Sequence, residues 1–278
     1  MSSIKDFPDE IVLTIMEGMS LKDVLELSWS CKHFYNLRKF IKKTSEEVVT
    51  VKSINTLREM NNATDMPLLA YGLILRGIRV LDISPLKNIK NLKKLDLAGT
   101  KFSDVSPLSN LVNLTYLYLV NTEVSDISSL SKLVNLKELY LWSTKVSDIS
   151  PLSNLVNLEK LGLRGTQVSY LSPLKALKKL EELYLECILY YGPFPDISPL
   201  SNLVNLTYLY LGNTDVSDVS PLSNLINLKE LDLRDTKVSD ISPLSNLINL
   251  KELNLRHTQV SDISPLNSLK KAGLEIIR

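Results

Sequence analysis

Residues 114–135 read LTYLYLVNTEVSDISSLSKLVN, and residues 136–157 read LKELYLWSTKVSDISPLSNLVN. The two stretches are the same sentence written twice, 22 residues apart. The frame extends in both directions. The triplet Leu92, Leu95, Leu97 recurs at Leu114, Leu117, Leu119, at Leu136, Leu139, Leu141, at Leu158, Leu161, Leu163 and at Leu180, Leu183, Leu185. After one step of 26 residues it resumes at Leu206, Leu209, Leu211, then at Leu228, Leu231, Leu233 and Leu250, Leu253, Leu255.

A period in the twenties carrying LxxLxL marks one supersecondary unit per period, the leucine-rich repeat. In LxL alternate side chains point to the same side, which predicts a short strand with one buried face. Stacked units predict an α/β, right-handed leucine-rich-repeat solenoid with its parallel sheet on the concave face. Thr100, Thr122, Thr144, Thr166, Thr214, Thr236 and Thr258 stand three residues beyond the last Leu. Their hydroxyls are placed to bond backbone where the chain leaves the strand. Asp104, Asp126, Asp148, Asp196, Asp218, Asp240 and Asp262 would stack as like charges, so each is expected to cap a short helical turn. Proline follows early in that turn, where no N–H is needed.

The ends are less regular. Ala70–Leu73–Leu75 reads as a degenerate first coil, and Val49–Val51 as a strand before it. Leu274–Ile276 reads as a last strand one residue short of register. Between Leu185 and Asp196 four residues are inserted and the tip, Tyr190–Pro195, turns aromatic. The repeats resemble the 22-residue repeats of internalins and related bacterial-type leucine-rich-repeat proteins over about residues 70–278.

Residues 6–43 follow a different pattern, DFPDEIVLTIMEGMSLKDVLELSWSCKHFYNLRKFIKK. Apolar residues at 11, 12, 15, 16 and 19 keep a helical period, Gly18 and Ser20 break it, and a second and third helix follow. Phe7-Pro8-Asp9-Glu10-Ile11, Met19-Ser20-Leu21 and Cys31-Lys32 with Phe34 together resemble an F-box. The resemblance implies a small all-α three-helix domain that docks onto the Skp-type linker of a cullin–RING ubiquitin ligase. It implies contacts through Phe7, Pro8, Ile11, Ile15, Leu21, Val24 and Leu25. The alternative is a helical cap for the solenoid, in a binding protein or host-directed effector. The chain thus divides into an F-box-like domain (1–45), a capping or degenerate-repeat region (46–91) and the solenoid (92–278).

The convex legs are nearly copied, PLSNLVNL at 107, 151 and 199 and PLSNLINL at 221 and 243, whereas the two residues after each LxL vary. A constant frame with a variable face is the pattern of a recognition surface. Tyr116, Tyr118, Tyr140, Trp142, Tyr184, Tyr208 and Tyr210 fall on that face with Arg164, Arg234 and Arg256. Aromatic residues and Arg dominate protein interfaces, so a protein target is expected there.

With 32 basic and 31 acidic residues the net charge is +1, which gives no reason to expect nucleic acid or an anionic membrane as partner. No apolar run is long enough to span a bilayer. The N-terminus has acids where a secretory signal needs an apolar run, so a cytoplasmic setting, or a host cytoplasm for a pathogen's or virus's protein, is expected. The sequons at Asn62, Asn113 and Asn205 would then be unused. Two cysteines and two histidines, scattered along the chain, make neither a zinc site nor a nucleophile pair. No cofactor, metal or catalytic activity is expected.

Overall fold

The computed structural model describes residues 48–50, 72–77, 80–186 and 196–278. The F-box-like segment, with Phe7, Pro8, Ile11, Ile15, Leu21, Val24 and Leu25, lies outside the described residues, as does the Tyr190–Pro195 insertion.

Eleven strands of three residues each make one parallel sheet in chain order. They are β1 (Val48–Thr50), β2 (Gly72–Ile74), β3 (Lys94–Asp96), β4 (Tyr116–Tyr118), β5 (Glu138–Tyr140), β6 (Lys160–Gly162), β7 (Glu182–Tyr184), β8 (Tyr208–Tyr210), β9 (Glu230–Asp232), β10 (Glu252–Asn254) and β11 (Glu275–Ile277). Leu95, Leu117, Leu139, Leu161, Leu183, Leu209, Leu231 and Leu253 sit opposite one another in register. The register follows from burial, because a slip of one residue would turn each central Leu out to solvent. In the coil of β5, Leu136, Leu139, Leu141, Val146, Ile149, Leu152 and Leu155 are all buried. Burying one such side chain is worth about 1.5–3 kcal/mol, so a single column of apolar residues supplies most of the gross stabilisation. Phe102 replaces the usual Val in the coil of β3 and is fully buried.

Polar groups are satisfied by ladders. Each repeat Thr donates its hydroxyl to the carbonyl three residues back, from Thr100 to Leu97 through Thr258 to Leu255, at 2.5–2.8 Å. The aspartates act one place earlier than a helix cap. The residue capping the 3-10 turn is Leu171 in the one coil without that Asp, where Tyr170 stands in its place, and Ile or Val in each coil that has it, as at Val105 and Ile149. The Asp before it accepts the N–H of the Ser two residues on, always at 2.8 Å, beginning at Asp82 and Ser84. The expectation of a capped helical turn is corrected accordingly: this is an Asx turn leading into 3-10 geometry. Proline occupies the first turn in all but Ser128–Lys132.

A third ladder escaped the sequence reading. Asn113, Asn135, Asn157, Asn205, Asn227 and Asn249 donate Nδ2 to a carbonyl of the preceding coil at 2.7–2.9 Å. Two of the three sequon asparagines therefore spend their amides on the frame. At the C-terminal end Leu253 pairs with Ile276, a step of 23 residues, so the last strand lies one residue beyond the 22-residue register rather than one short of it. The short helix α1 (Asn267–Lys271) and Gly273, at φ 101°, absorb the extra residue.

Candidate functional site

Among the described residues the second residue after each LxL has a left-handed backbone: Gly77, Gly99, Asn121, Ser143, Gly165, Asn213, Asp235 and His257, with φ between 53° and 71°. Glycine, Asn and Asp tolerate that region best. Half of the variation after LxL thus answers to the backbone, which corrects its reading as free recognition sequence. The turn lets the N–H reach the neighbouring coil, as from Asn121 to the Trp142 carbonyl at 2.8 Å and from Ser143 to that of Arg164 at 2.9 Å.

The residues left free to choose line the outer face of the sheet. The third strand position runs Tyr118, Tyr140, Gly162, Tyr184, Tyr210, Asp232 from β4 to β9. Parallel strands lie ~4.8 Å apart, close to a comfortable ring-stacking distance. Tyr118 and Tyr140 stack with centroids 5.0 Å apart and planes 9° apart, and Tyr184 and Tyr210 stack at 4.8 Å and 2°. Between the pairs stands Gly162. Trp142 lies across it, edge-on to Tyr140 at 5.3 Å and to Tyr184 at 5.7 Å. A Cβ on residue 162 would clash with the Trp142 indole nitrogen. The five rings make one continuous ribbon over five coils.

A charged row holds the ribbon. The hydroxyls of Tyr118, Tyr184 and Tyr210 donate to Glu138, Glu182 and Glu230 at 3.1, 2.9 and 2.8 Å. Lys160 pairs with Glu182 at 2.7 Å and stands 4.0 Å from Glu138. Its bond to Glu182 pushes the ammonium pKa up. Burial, then the nearby carboxylates, push the phenols of Tyr118, Tyr184 and Tyr210 well above their ordinary value, and Tyr140 up to about 12. The rings therefore remain neutral hydrogen-bond donors throughout the physiological range.

An open trough of about 510 Å³ runs along the N-terminal half of this face. Small residues, Gly77, Ala98 and Gly99, form one side, and Tyr118, Tyr140 and Trp142 the other. A smaller hollow of about 180 Å³ lies among Tyr210, Glu230, Asp232, Arg234 and Glu252. Here Arg234 lies over Gly212, where a Cβ would come 3.0 Å from its Cγ, and reaches Asp232 at 3.3 Å and Glu186 at 3.5 Å. Burial raises the pKa of Glu186 and of Asp232, and Arg234 opposes the shift in both.

Of the residues singled out from sequence, Tyr118, Tyr140, Trp142, Tyr184 and Tyr210 come together. Tyr116 stands apart beneath Lys94, whose Nζ is 4.7 Å from its ring centre. Tyr208 is half-buried one position before the strand centre and joins none of the ring contacts. Arg164 and Arg256 are exposed and Arg234 is tied down. Gly162 and Gly212 were missed as site residues, although Gly162, a Gly in a row of tyrosines, is a visible signal. Among the described residues no group of three or more His, Cys, Asp or Glu could hold a metal ion, and no helix is long and apolar enough to cross a membrane.

Such a sheet, with an invariant leucine frame and an outer face of rings and charges, defines a leucine-rich-repeat binding scaffold. The family model for leucine-rich repeats in two copies matches residues 112–154 and 226–268. An internalin of Listeria monocytogenes, inlF, is 31% identical over 81% of this chain and 73% of its own, with a TM-score of 0.65. Internalin C2 of the same organism is 31% identical over 80% of this chain and 90% of its own, at 0.56. The chain belongs to the internalin family of leucine-rich-repeat proteins. The ectodomain of the Arabidopsis receptor kinase HAESA, solved with an N-terminally extended IDA peptide hormone, is 26% identical over 63% of this chain and 32% of its own, at 0.55. No curated protein gives a significant sequence match.

Proposed function

We propose that this chain is a non-enzymatic scaffold that binds a polypeptide along the outer face of its sheet, on the ribbon from Tyr118 to Tyr210. One observation carries the reading: five rings are gathered on a face the leucine core does not use, four of them stacked in pairs and three tied down by hydroxyl hydrogen bonds. Rigid aromatic side chains provide contact area at small entropic cost. The HAESA relative, solved with a peptide ligand, supports a polypeptide as occupant. The test is selection of random peptides displayed on phage against the full chain. Selected peptides should lose most of their affinity for Tyr140→Ala and Tyr184→Ala while binding Lys178→Ala, a substitution outside the strands that carry the ribbon, unchanged. Equal affinity for the ribbon variants removes the reading.

The F-box resemblance of residues 7–34 favours a second step. In that reading the repeats hold a target and Phe7, Pro8, Ile11, Ile15, Leu21, Val24 and Leu25 join a Skp-type linker, in a cytoplasm that contains the ligase. A purified linker should bind the full chain and lose Phe7→Ala/Pro8→Ala. If it binds neither, the adaptor role falls and the target-binding scaffold remains, as a stand-alone binder or host-directed effector.

A further inference from the structure

The row Tyr118, Tyr140, Gly162, Tyr184, Tyr210 is a stack of rings with its central ring missing. Strands β5 and β7 are two steps apart, ~9.6 Å. A ring centred over Gly162 would thus stand ~4.8 Å from each flanking tyrosine, matching the 5.0 and 4.8 Å of the two existing pairs. In the present arrangement Tyr140 and Tyr184 lean together, at 6.4 Å and 48°, and Trp142 fills the gap edge-on. That filling is imperfect. Among the described residues, the Trp142 indole nitrogen is buried and has no hydrogen-bond partner. A buried donor left unpaired forfeits the bond it would make in water, so turning the indole outward regains that bond. The frame does not hold Trp142 in place either: Ala98, Val120, Arg164 and Glu186 occupy its position in other coils.

We infer that the gap over Gly162 is a binding slot for one aromatic side chain of the partner polypeptide, and that Trp142 is its displaceable plug. The charge beside the slot specifies the neighbourhood of that ring. Arg164 follows Gly162 by two residues on the same face and is exposed. Burial raises the pKa of Glu186 and the charge of Arg164 partly offsets that rise, yet Arg164 makes no salt bridge among the described residues. Lys160, on the other side, is already neutralised by Glu182. An unbridged guanidinium at the rim matches a carboxylate adjoining the inserted ring. The occupant is therefore an aromatic residue next to Asp or Glu. This deepens the polypeptide-binding reading and rests on it.

The test uses the full chain with Trp29→Phe, which leaves Trp142 as the only tryptophan. The probe is the blocked dipeptide acetyl-Phe-Asp-amide, with acetyl-Ala-Asp-amide and acetyl-Phe-Lys-amide as controls. Trp142 emission should begin blue-shifted and move red, saturably, with the first probe, weakly with the Lys control and not with the Ala control. Trp142→Ala should bind the first probe about tenfold more tightly, the factor by which a plug closed about nine times in ten dilutes the open form. Binding to that variant is read from the probe's own NMR signals. Gly162→Ala should start red-shifted and bind nothing, because its methyl group occupies the indole's place. Blue emission from a folded Gly162→Ala, or no tighter probe binding by Trp142→Ala, overturns the slot. If the slot fails while phage-selected peptides still depend on Tyr140 and Tyr184, the inference falls and the scaffold reading stands. If those peptides ignore both tyrosines, the scaffold reading falls with it.

Discussion

Replacing Thr144 by Val and Thr166 by Val removes the same hydroxyl from the same ladder, yet the two costs should differ. Both threonines are buried, and their hydroxyls donate to Leu141 at 2.7 Å and to Leu163 at 2.6 Å. Valine has nearly the same shape, so no cavity complicates the comparison. At Thr166 the backbone N–H also donates to the Leu163 carbonyl, at 3.2 Å, and that bond survives the substitution. No second donor reaches the Leu141 carbonyl among the described turn and side-chain bonds. Thr166→Val therefore loses one hydrogen bond, about 1 kcal/mol, whereas Thr144→Val also strands a buried acceptor and should cost about 2 kcal/mol or more. Urea unfolding of the full chain reads both, with unchanged slope. At ~2–4 °C per kcal/mol for a chain of this size, the two melting temperatures separate measurably. Equal losses, or a larger loss at Thr166, would refute the claim that the ladder's worth lies in carbonyls it alone satisfies.

Three further outcomes follow from the same geometry. Asp240 has its pKa lowered by the Ser242 backbone N–H and hydroxyl, so its contribution is present above the ordinary carboxylate range and lost as pH falls through the lowered value; the melting deficit of Asp240→Ala should therefore be larger at neutral pH than in strong acid. Arg234→Ala should raise the pKa of both Glu186 and Asp232, since Arg234 opposes the effect of burial in each; carboxyl NMR titration checks this, and a fall in either would count against the assignment. Ser143→Gly relieves a left-handed backbone at φ 53° and should stabilise by about 0.5 kcal/mol, whereas Asn121→Gly, where Asn already tolerates that conformation, should change the urea midpoint little.

What was legible in the sequence was whatever repeats. The strands, the buried leucines and the threonine bonds follow from residues that recur at one spacing in coil after coil. The asparagine ladder recurs as faithfully, but an amide on an exposed leg looks like any polar surface residue until its carbonyl partner, one coil away, is known. The residues after LxL misled for the opposite reason: Gly, Asn, Ser, Asp and His look unrelated until a positive φ gives them a common cause. The ribbon was half visible. Tyrosines on the outer face could be placed from alternation alone, and their stacking follows from strand spacing. The seat of Trp142 over Gly162, and of Arg234 over Gly212, depends on side chains leaning across coils, which no one-dimensional pattern encodes.

The ladders also have a mechanical consequence. The amides of Asn113, Asn135 and Asn157, like the N–H groups of Asn121 and Ser143, bond to an adjacent coil, so each coil is fastened chiefly to its neighbours. Pulled from its two ends, such a chain is a row of similar clasps in series, and the outermost opens first because it has one neighbour instead of two. Each opening releases one period of chain, roughly 70 Å at ~3.3 Å per residue. The molecule would lengthen under load in even steps and take them back one coil at a time, a spring whose unit of travel is written in its repeat length.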